Sequence, residues 1–139
     1  KTCVQDFPLF ISIRGSDMVL LYEDTSKAIV KSAYDVHRIL GPGFLEKVYE
    51  NALIHELKTR DIKYEAQKAI DIYYKDINVG KYIADILVDD KIIIEVKANS
   101  GLCDEHFAQL LNYLKATKNR LGILINFGKP KIQIRRVIC

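Results

Sequence analysis

The spacing of hydrophobic positions changes along the chain, and each change marks an element. Ile29, Val30, Ala33, Val36 and Leu40 recur at the interval of a helix face. Thr25 and Ser26 before them are good N-caps, and Gly41-Pro42-Gly43 ends the run. A second helix is predicted over roughly 44–59, with Leu45, Val48, Ala52 and Leu53 as its apolar side. Asp61 sits in the break after it. The period then drops to two, as in a strand. Ile70 and Ile72 alternate with Asp71 and Tyr73, and Lys75-Asp76 forms a turn. Ile77 and Val79 open a strand that runs to Val88, and Asp89-Asp90 turns the chain again. Lys91 to Lys97 is a third strand, whose run Ile92-Ile93-Ile94 predicts burial on both faces. Residues 64–97 therefore read as an antiparallel meander.

A third helix is predicted over roughly 104–117, with Phe107, Leu110, Leu111 and Leu114 as one stripe. Leu121 to Phe127 is a buried strand. The unit 92–97, 104–117, 121–127 is long enough for a right-handed parallel crossover. Gly128 to Pro130 turns the chain into a final edge strand, Lys131 to Ile138. The predicted order is ααβββαββ: an α/β chain of the α+β kind, a mixed sheet flanked by helices.

Composition changes this picture little. The 139 residues are one domain's worth of chain. The charges, 21 Lys and Arg against 18 Asp and Glu, sum to +3, which excludes a polybasic, histone-like binder. Any nucleic-acid contact must come from local placement of basic groups. The single domain is expected over 18–139. Residues 1–17 precede Met18 and begin with Lys, so an upstream extension or cloning remnant is expected there. The apolar run Phe7 to Ile13 meets Arg14 and Asp17 without a small-residue cleavage site, which argues against a signal peptide. No apolar run reaches the ~18 residues of a membrane span. Cys3, Cys103 and Cys139 are odd in number and share no CxxC spacing, and His37, His55 and His106 are scattered. Zinc and iron–sulfur sites are therefore not expected, and a reducing cytoplasm is.

The candidate chemistry lies on the meander. Glu95 and Lys97 share one face of their strand. Asp85 is flanked on its own face by Ile83 and Leu87, company in which a carboxylate is costly to bury without a cation. With Asp89-Asp90-Lys91 as the hairpin loop, Val88 pairs with Ile92 and Asp85 pairs with Glu95. Two carboxylates about 5 Å apart repel one another, and a divalent cation resolves the repulsion. Mg²⁺ takes one or two carboxylates and keeps several waters. A cation held by Asp85 and Glu95 would activate water and neutralise a phosphoryl oxygen, with Lys97 beside it. These parts suit hydrolysis of a phosphodiester.

Asp85, then Glu95-Val96-Lys97, resembles the core motif of the PD-(D/E)xK nuclease superfamily. Gly43-Phe44-Leu45-Glu46-Lys47-Val48-Tyr49 reads GxxExxY, and residues 24–138 resemble the GxxExxY family, a branch of that superfamily. The resemblance implies a restriction-endonuclease-like core and a nuclease dependent on Mg²⁺ or Mn²⁺, acting on nucleic acid and on DNA before RNA. It implies Asp85, Glu95 and Lys97 as catalytic residues. Glu46 and the backbone carbonyl of Val96 join Asp85 and Glu95 at the metal. Gln109 and Tyr113 match a QxxxY element that positions substrate or site. They are neighbours at i and i+4 and point away from the apolar stripe of their helix.

Several of these residues have plainer roles. With Gly43 as N-cap, Glu46 stands at N3 and would complete a capping box. Tyr49, at i+4 from Leu45, reads as packing rather than catalysis. An Asp85–Lys97 salt bridge would explain two residues and leave Glu95 over. His106 reads as a solvated histidine at a helix start, and Cys103 as an inert loop thiol. Lys115, Lys118, Arg120, Lys129, Lys131, Arg135 and Arg136 crowd the last third of the chain, as a solvated surface or as a track for a phosphate backbone. The rival to an enzyme is a non-catalytic nucleic-acid-binding or assembly module on the same fold. A homodimer would give so small a domain a second surface for a duplex, though no residue in the sequence demonstrates one.

Overall fold

The computed structural model describes residues 22–139 with their side chains. Before them it describes only the backbone of β1 (Cys3–Asp6), β2 (Ile11–Ile13) and β3 (Asp17–Val19). Of the apolar run Phe7 to Ile13, residues 7–10 lie outside the described residues. The expected domain start at Met18 falls inside β3, which pairs with β2.

Helix α1 (Glu23–Leu40) begins two residues before the expected caps. Tyr22 is its N-cap in a left-handed conformation, with no side-chain cap. Glu23 and Asp24 fill the first turn, where the helix dipole favours acids. Ser26 is buried within the helix, and its amide donates to the Tyr22 carbonyl at 2.9 Å. Ile29, Ala33 and Val36 face the core as predicted. Gly41 closes the helix at φ 68°, a conformation that a Cβ disfavours, and its amide donates to the His37 carbonyl at 2.8 Å.

Helix α2 (Glu46–Thr59) starts later than the sequence indicated, with Leu45 and not Gly43 as N-cap. Its buried side is consequently Tyr49, Leu53 and Leu57, while Leu45 and Val48 are exposed. The Tyr49 ring lies flat on Phe127, 4.7 Å between centroids, and its hydroxyl donates to the Gly41 carbonyl at 2.6 Å. Tyr49 thus belongs to the core, as expected. Arg60 ties the two helices by donating to Asp35 at 2.9 Å.

Strands β4 (Tyr64–Tyr74), β5 (Ile77–Val88) and β6 (Ile92–Lys97) form the predicted meander. Helix α3 (Asp104–Thr117) then crosses to β7 (Leu121–Asn126), which is parallel to β6, and β8 (Gln133–Ile138) returns antiparallel. These five strands form a mixed sheet in the order β8-β7-β6-β5-β4, and β1 extends it beyond β8. β8 is therefore not the edge strand that its alternation suggested: β1 pairs with it from Arg135 to Ile138.

Helices α1 and α2 cover one face of the sheet, packing on Ile86, Val88, Ile92, Ile94, Val96, Ile123 and Ile125. Helix α3 covers the other through Leu110 and Leu114, against Ile93, Leu124 and Val137. A Cβ on Gly122 would lie 2.9 Å from the Leu110 side chain, so the helix sits down on bare backbone there. All three isoleucines of β6 are fully buried, as their run predicted.

Candidate active site

The alternation of β5 slips at Asp85. Tyr82 and Ala84 pack in the α3-side cluster, whereas Ile86 and Val88, also even-numbered, pack on the opposite face. The strand alongside slips at the same height: Gln67 takes φ 51° between the pairs Ala66↔Ile86 and Lys68↔Ala84. The hairpin register is the predicted one, with Val88 opposite Ile92. The β5–β6 ladder stops at Ile86↔Ile94, one step before the expected Asp85–Glu95 pair. Side chains continue it. The Val96 amide donates to Asp85 Oδ2 at 2.8 Å, and the Asp85 amide donates to Glu95 Oε2 at 3.3 Å. Each acid thus occupies the backbone of the other strand at a fork in the sheet.

Both acids are half-buried, and burial is the first cause of their raised pKa values. Glu95 is pushed up to about 7, with Asp85 adding repulsion. Asp85 is raised as well; the Val96 amide opposes the shift, and Glu50 and then Glu46 add to it. Lys97 lowers both, but no ion pair joins it to Asp85, so the simple salt bridge does not form.

Sequence reasoning missed Tyr82. Its hydroxyl donates a short hydrogen bond to Glu95 Oε2, and its ring lies face to face with Tyr113, 3.7 Å between centroids. Burial and the Glu95 charge both raise the phenol pKa, so it is held as a proton donor. Strict alternation placed Ile83 beside Asp85, but Ile83 is exposed. A tyrosine three residues before a strand acid was the available signal. Tyr113 in turn packs against the α3-side core, which corrects the expectation that packing does not account for it. Gln109 is exposed one turn earlier on α3.

Glu46 is the first residue of α2 and is exposed, so it stands at N1 and no capping box forms there. The acid that α2 buries is Glu50, also missed. Gln67 Nε2 donates to both of its oxygens, at 2.9 and 3.1 Å, and Lys47 Nζ donates at 2.8 Å. Glu50 lies on the buried stripe with Leu53 and Leu57 (i, i+3, i+7), which was its legible sign.

His106 does cap a helix. The Cys103 amide donates to its Nδ1 at 3.1 Å, closing a capping box at the start of α3. The end of β6 is equally well fixed. Phe127 donates its amide to the Lys97 carbonyl at 2.9 Å. Buried Asn126 receives the Asn99 amide at 2.9 Å and donates to Asn99 O at 3.1 Å and to Gln133 Oε1 at 2.9 Å. Gly128 is required beside it, because a Cβ there would meet Asn99 O at 2.3 Å.

Among the described residues no three His, Cys, Asp or Glu side chains are arranged to hold a metal ion. The donor set at the fork nevertheless fits a hard cation. Two carboxylates raised by burial and mutual repulsion are the oxygen ligands that Mg²⁺ accepts along with water. Among the described residues no helix is long and apolar enough to cross a membrane.

A mixed sheet between helices, with Asp85, Glu95 and Lys97 at a fork between two strands, defines a nuclease-type fold. A profile of the PD-(D/E)XK nuclease superfamily matches residues 23–137, and the chain belongs to that superfamily. It is also similar to the solved structure titled "Crystal structure of SSO0001", with 26% identity, a TM-score of 0.50 and 83% of this chain covered. The match spans 58% of that structure's chain. Comparison with curated proteins gives no match.

Proposed function

We propose that the chain is a metal-dependent nuclease of the GxxExxY branch, hydrolysing phosphodiester bonds of nucleic acid, DNA before RNA. One observation carries the reading. Asp85 and Glu95 are coupled across the open end of the β5–β6 ladder, both with raised pKa values, and Lys97 acts on both electrostatically.

Asp85 and Glu95 would hold Mg²⁺ or Mn²⁺, with the Val96 carbonyl and, from the start of α2, Glu46 as further oxygen donors. When bound, the cation supplies a more acidic water and neutralises charge on the phosphoryl group. Lys97 orients the attacking water or stabilises the charge that develops on phosphorus oxygens. Tyr82 holds Glu95 in place, and Tyr113 holds Tyr82 through their stacked rings. Gln109, exposed above them, positions substrate. Glu50 fixes Gln67 at the slip in β4 and so shapes the floor beneath Asp85. The place of work is the cytoplasm, and a homodimer would give the domain a second surface for a duplex.

The test is cleavage of labelled DNA in several forms, with Mg²⁺ or Mn²⁺ and with EDTA, by wild type, Glu95→Ala and Lys97→Ala purified in parallel. Cleavage that EDTA and both substitutions abolish is expected; equal cleavage by the variants contradicts the reading.

A second reading, a nucleic-acid-binding or assembly module without turnover, draws on Glu95 Oε2. That oxygen already accepts from the Tyr82 hydroxyl and the Asp85 amide. Calorimetric titration with Mg²⁺ and Mn²⁺, with and without DNA, separates the two. Heat of binding at millimolar metal supports the enzyme, and its absence supports the module.

A further inference from the structure

The basic residues of the last third divide between the two ends of the sheet. Lys115, Lys118 and Arg120 lie where α3 ends and β7 begins, the end away from Lys97. Arg136 is fully buried. Lys129, Lys131 and Arg135 lie at the other end, in the turn before β8 and on β8 itself. There, with Tyr34 and Gln133, they line a cavity of about 330 Å³.

This cavity is in register with the fork. Lys97 pairs with Asn126 and Asn126 with Gln133, so Gln133 stands two strand spacings, roughly 10 Å, from Lys97. All three belong to the α3 side of the sheet, in step with Ile93, Leu124 and Val137, while Ile132 and Ile134 of the lining pack on the α1 side, so the cavity wraps the edge of β8 from one face to the other. The connection is stiff. Asn126 bonds both Asn99, just past Lys97, and Gln133. On the far side the turn is held by His37 Nε2, which donates to the Lys129 carbonyl at 2.8 Å, and the His37 ring lies over Phe127. Phe127 in turn donates its amide to Lys97.

The lining has the chemistry of a nucleotide. Lys129 and Lys131 offer ammonium donors for a phosphate, and a half-exposed Tyr34 offers a ring face for a base. Gln133 has its amide oxygen taken by Asn126, which leaves the amide nitrogen as a fixed donor. The volume falls at the lower end of small-ligand cavities, the size of a single nucleotide rather than a duplex.

We infer that this cavity, at the edge of the sheet where β8 starts and beside α1, is a nucleotide subsite. It takes one unpaired nucleotide of the substrate strand, its phosphate on Lys129 and Lys131 and its base on Tyr34, next to the fork. The inference rests on the nuclease reading above, and it assigns the substrate a single-stranded portion close to the scissile bond.

The test is fluorescence anisotropy of a labelled ten-residue oligothymidylate, with EDTA present so that no cleavage occurs, over a series of salt concentrations. The full chain is compared with Lys129→Ala/Lys131→Ala, Tyr34→Ala, Tyr34→Phe and, as a control at the other end of the sheet, Lys118→Ala/Arg120→Ala. Thermal melting checks that each variant folds. The Lys129/Lys131 variant is expected to bind about tenfold more weakly, with the slope of log affinity against log salt shallower by about 0.7, the share of one single-strand phosphate no longer neutralised. Tyr34→Ala is expected to weaken binding about tenfold while Tyr34→Phe binds like wild type, and the control is expected to change the slope less. Wild-type affinity and slope in the Lys129/Lys131 variant, while the wild-type chain binds and cleaves, overturn the subsite alone. Failure of the wild-type chain to bind the oligonucleotide even at low salt, in a preparation that cleaves DNA with Mg²⁺ or Mn²⁺, overturns the subsite and leaves the nuclease reading standing, whereas absence of both binding and cleavage overturns the two together.

Discussion

The backbone amide of Val96 donates to the Asp85 carboxylate at 2.8 Å, across a gap where the β5–β6 ladder has already ended. One acid therefore does two jobs: it closes the backbone at the fork and sets a negative charge beside Glu95. Its pKa is raised, first by burial, which means that the charge is held there at a cost to the folded chain.

Replacing Asp85 by Asn keeps an oxygen for the Val96 amide and removes the charge. In EDTA the Asp85→Asn protein should be more stable than wild type by about 1 kcal/mol, a rise of roughly 3–6 °C in melting temperature. Addition of Mg²⁺ or Mn²⁺ should then stabilise wild type and leave the variant unmoved. A structural salt bridge would instead make the variant less stable, and differential scanning calorimetry distinguishes the two.

Glu95 gives a pH dependence of definite sign. Its folded-state pKa of about 7 lies above the ordinary 4.5, so the folded chain keeps a proton that the unfolded chain releases. The stability from this group is complete below pH 4.5 and is lost as pH rises through 7. Two to three pKa units correspond to a few kcal/mol, in order of magnitude. Denaturant unfolding of the metal-free protein between pH 4.5 and 8 should show this decline, and Glu95→Gln should flatten it relative to wild type.

Tyr82→Phe keeps the ring on Tyr113 and removes the proton donated to Glu95. Cleavage should fall about tenfold, with more metal needed for half-maximal rate, as is typical when a partner of a ligand is lost. The Glu95 titration should move to still higher pH, because the hydroxyl lowers its pKa. Unchanged metal dependence would show that the phenol packs and does nothing more.

Glu46 and Glu50, in the first half of α2, should separate cleanly. Glu50→Ala strips Gln67 and Lys47 of their partner inside the fold and should cost about 1–3 kcal/mol in urea unfolding. Glu46→Ala, at an exposed first helical residue, should leave stability within about 0.5 kcal/mol and lower the cleavage rate.

Most of the architecture was legible. The interval of three to four in α1 and α3, the period of two in the meander and the unbroken apolar run of β6 report burial directly, and tertiary packing agrees with them. The start of α2 was not, because Leu45 and Val48 are apolar yet exposed, while the buried stripe runs through a tyrosine and a glutamate. The edge status of β8 failed because β1, from residues expected to stand outside the domain, pairs with it. Asp85, Glu95 and Lys97 were legible as acids and a base among isoleucines. Tyr82 was hidden for the reason that makes the site: alternation breaks at Asp85 and Gln67, so counting by twos assigns the wrong neighbours. Glu50 was hidden because the apolar side of α2 was drawn through Leu45 and Val48, one face away from the stripe the helix buries.

Anomalous diffraction from crystals soaked in Mn²⁺ at millimolar concentration tests the metal centre most directly. A peak bridging Asp85 and Glu95, absent from Glu95→Ala crystals soaked in the same way, is the predicted result. A wild-type map without anomalous density at the fork, in crystals that leave it open to solvent, contradicts it.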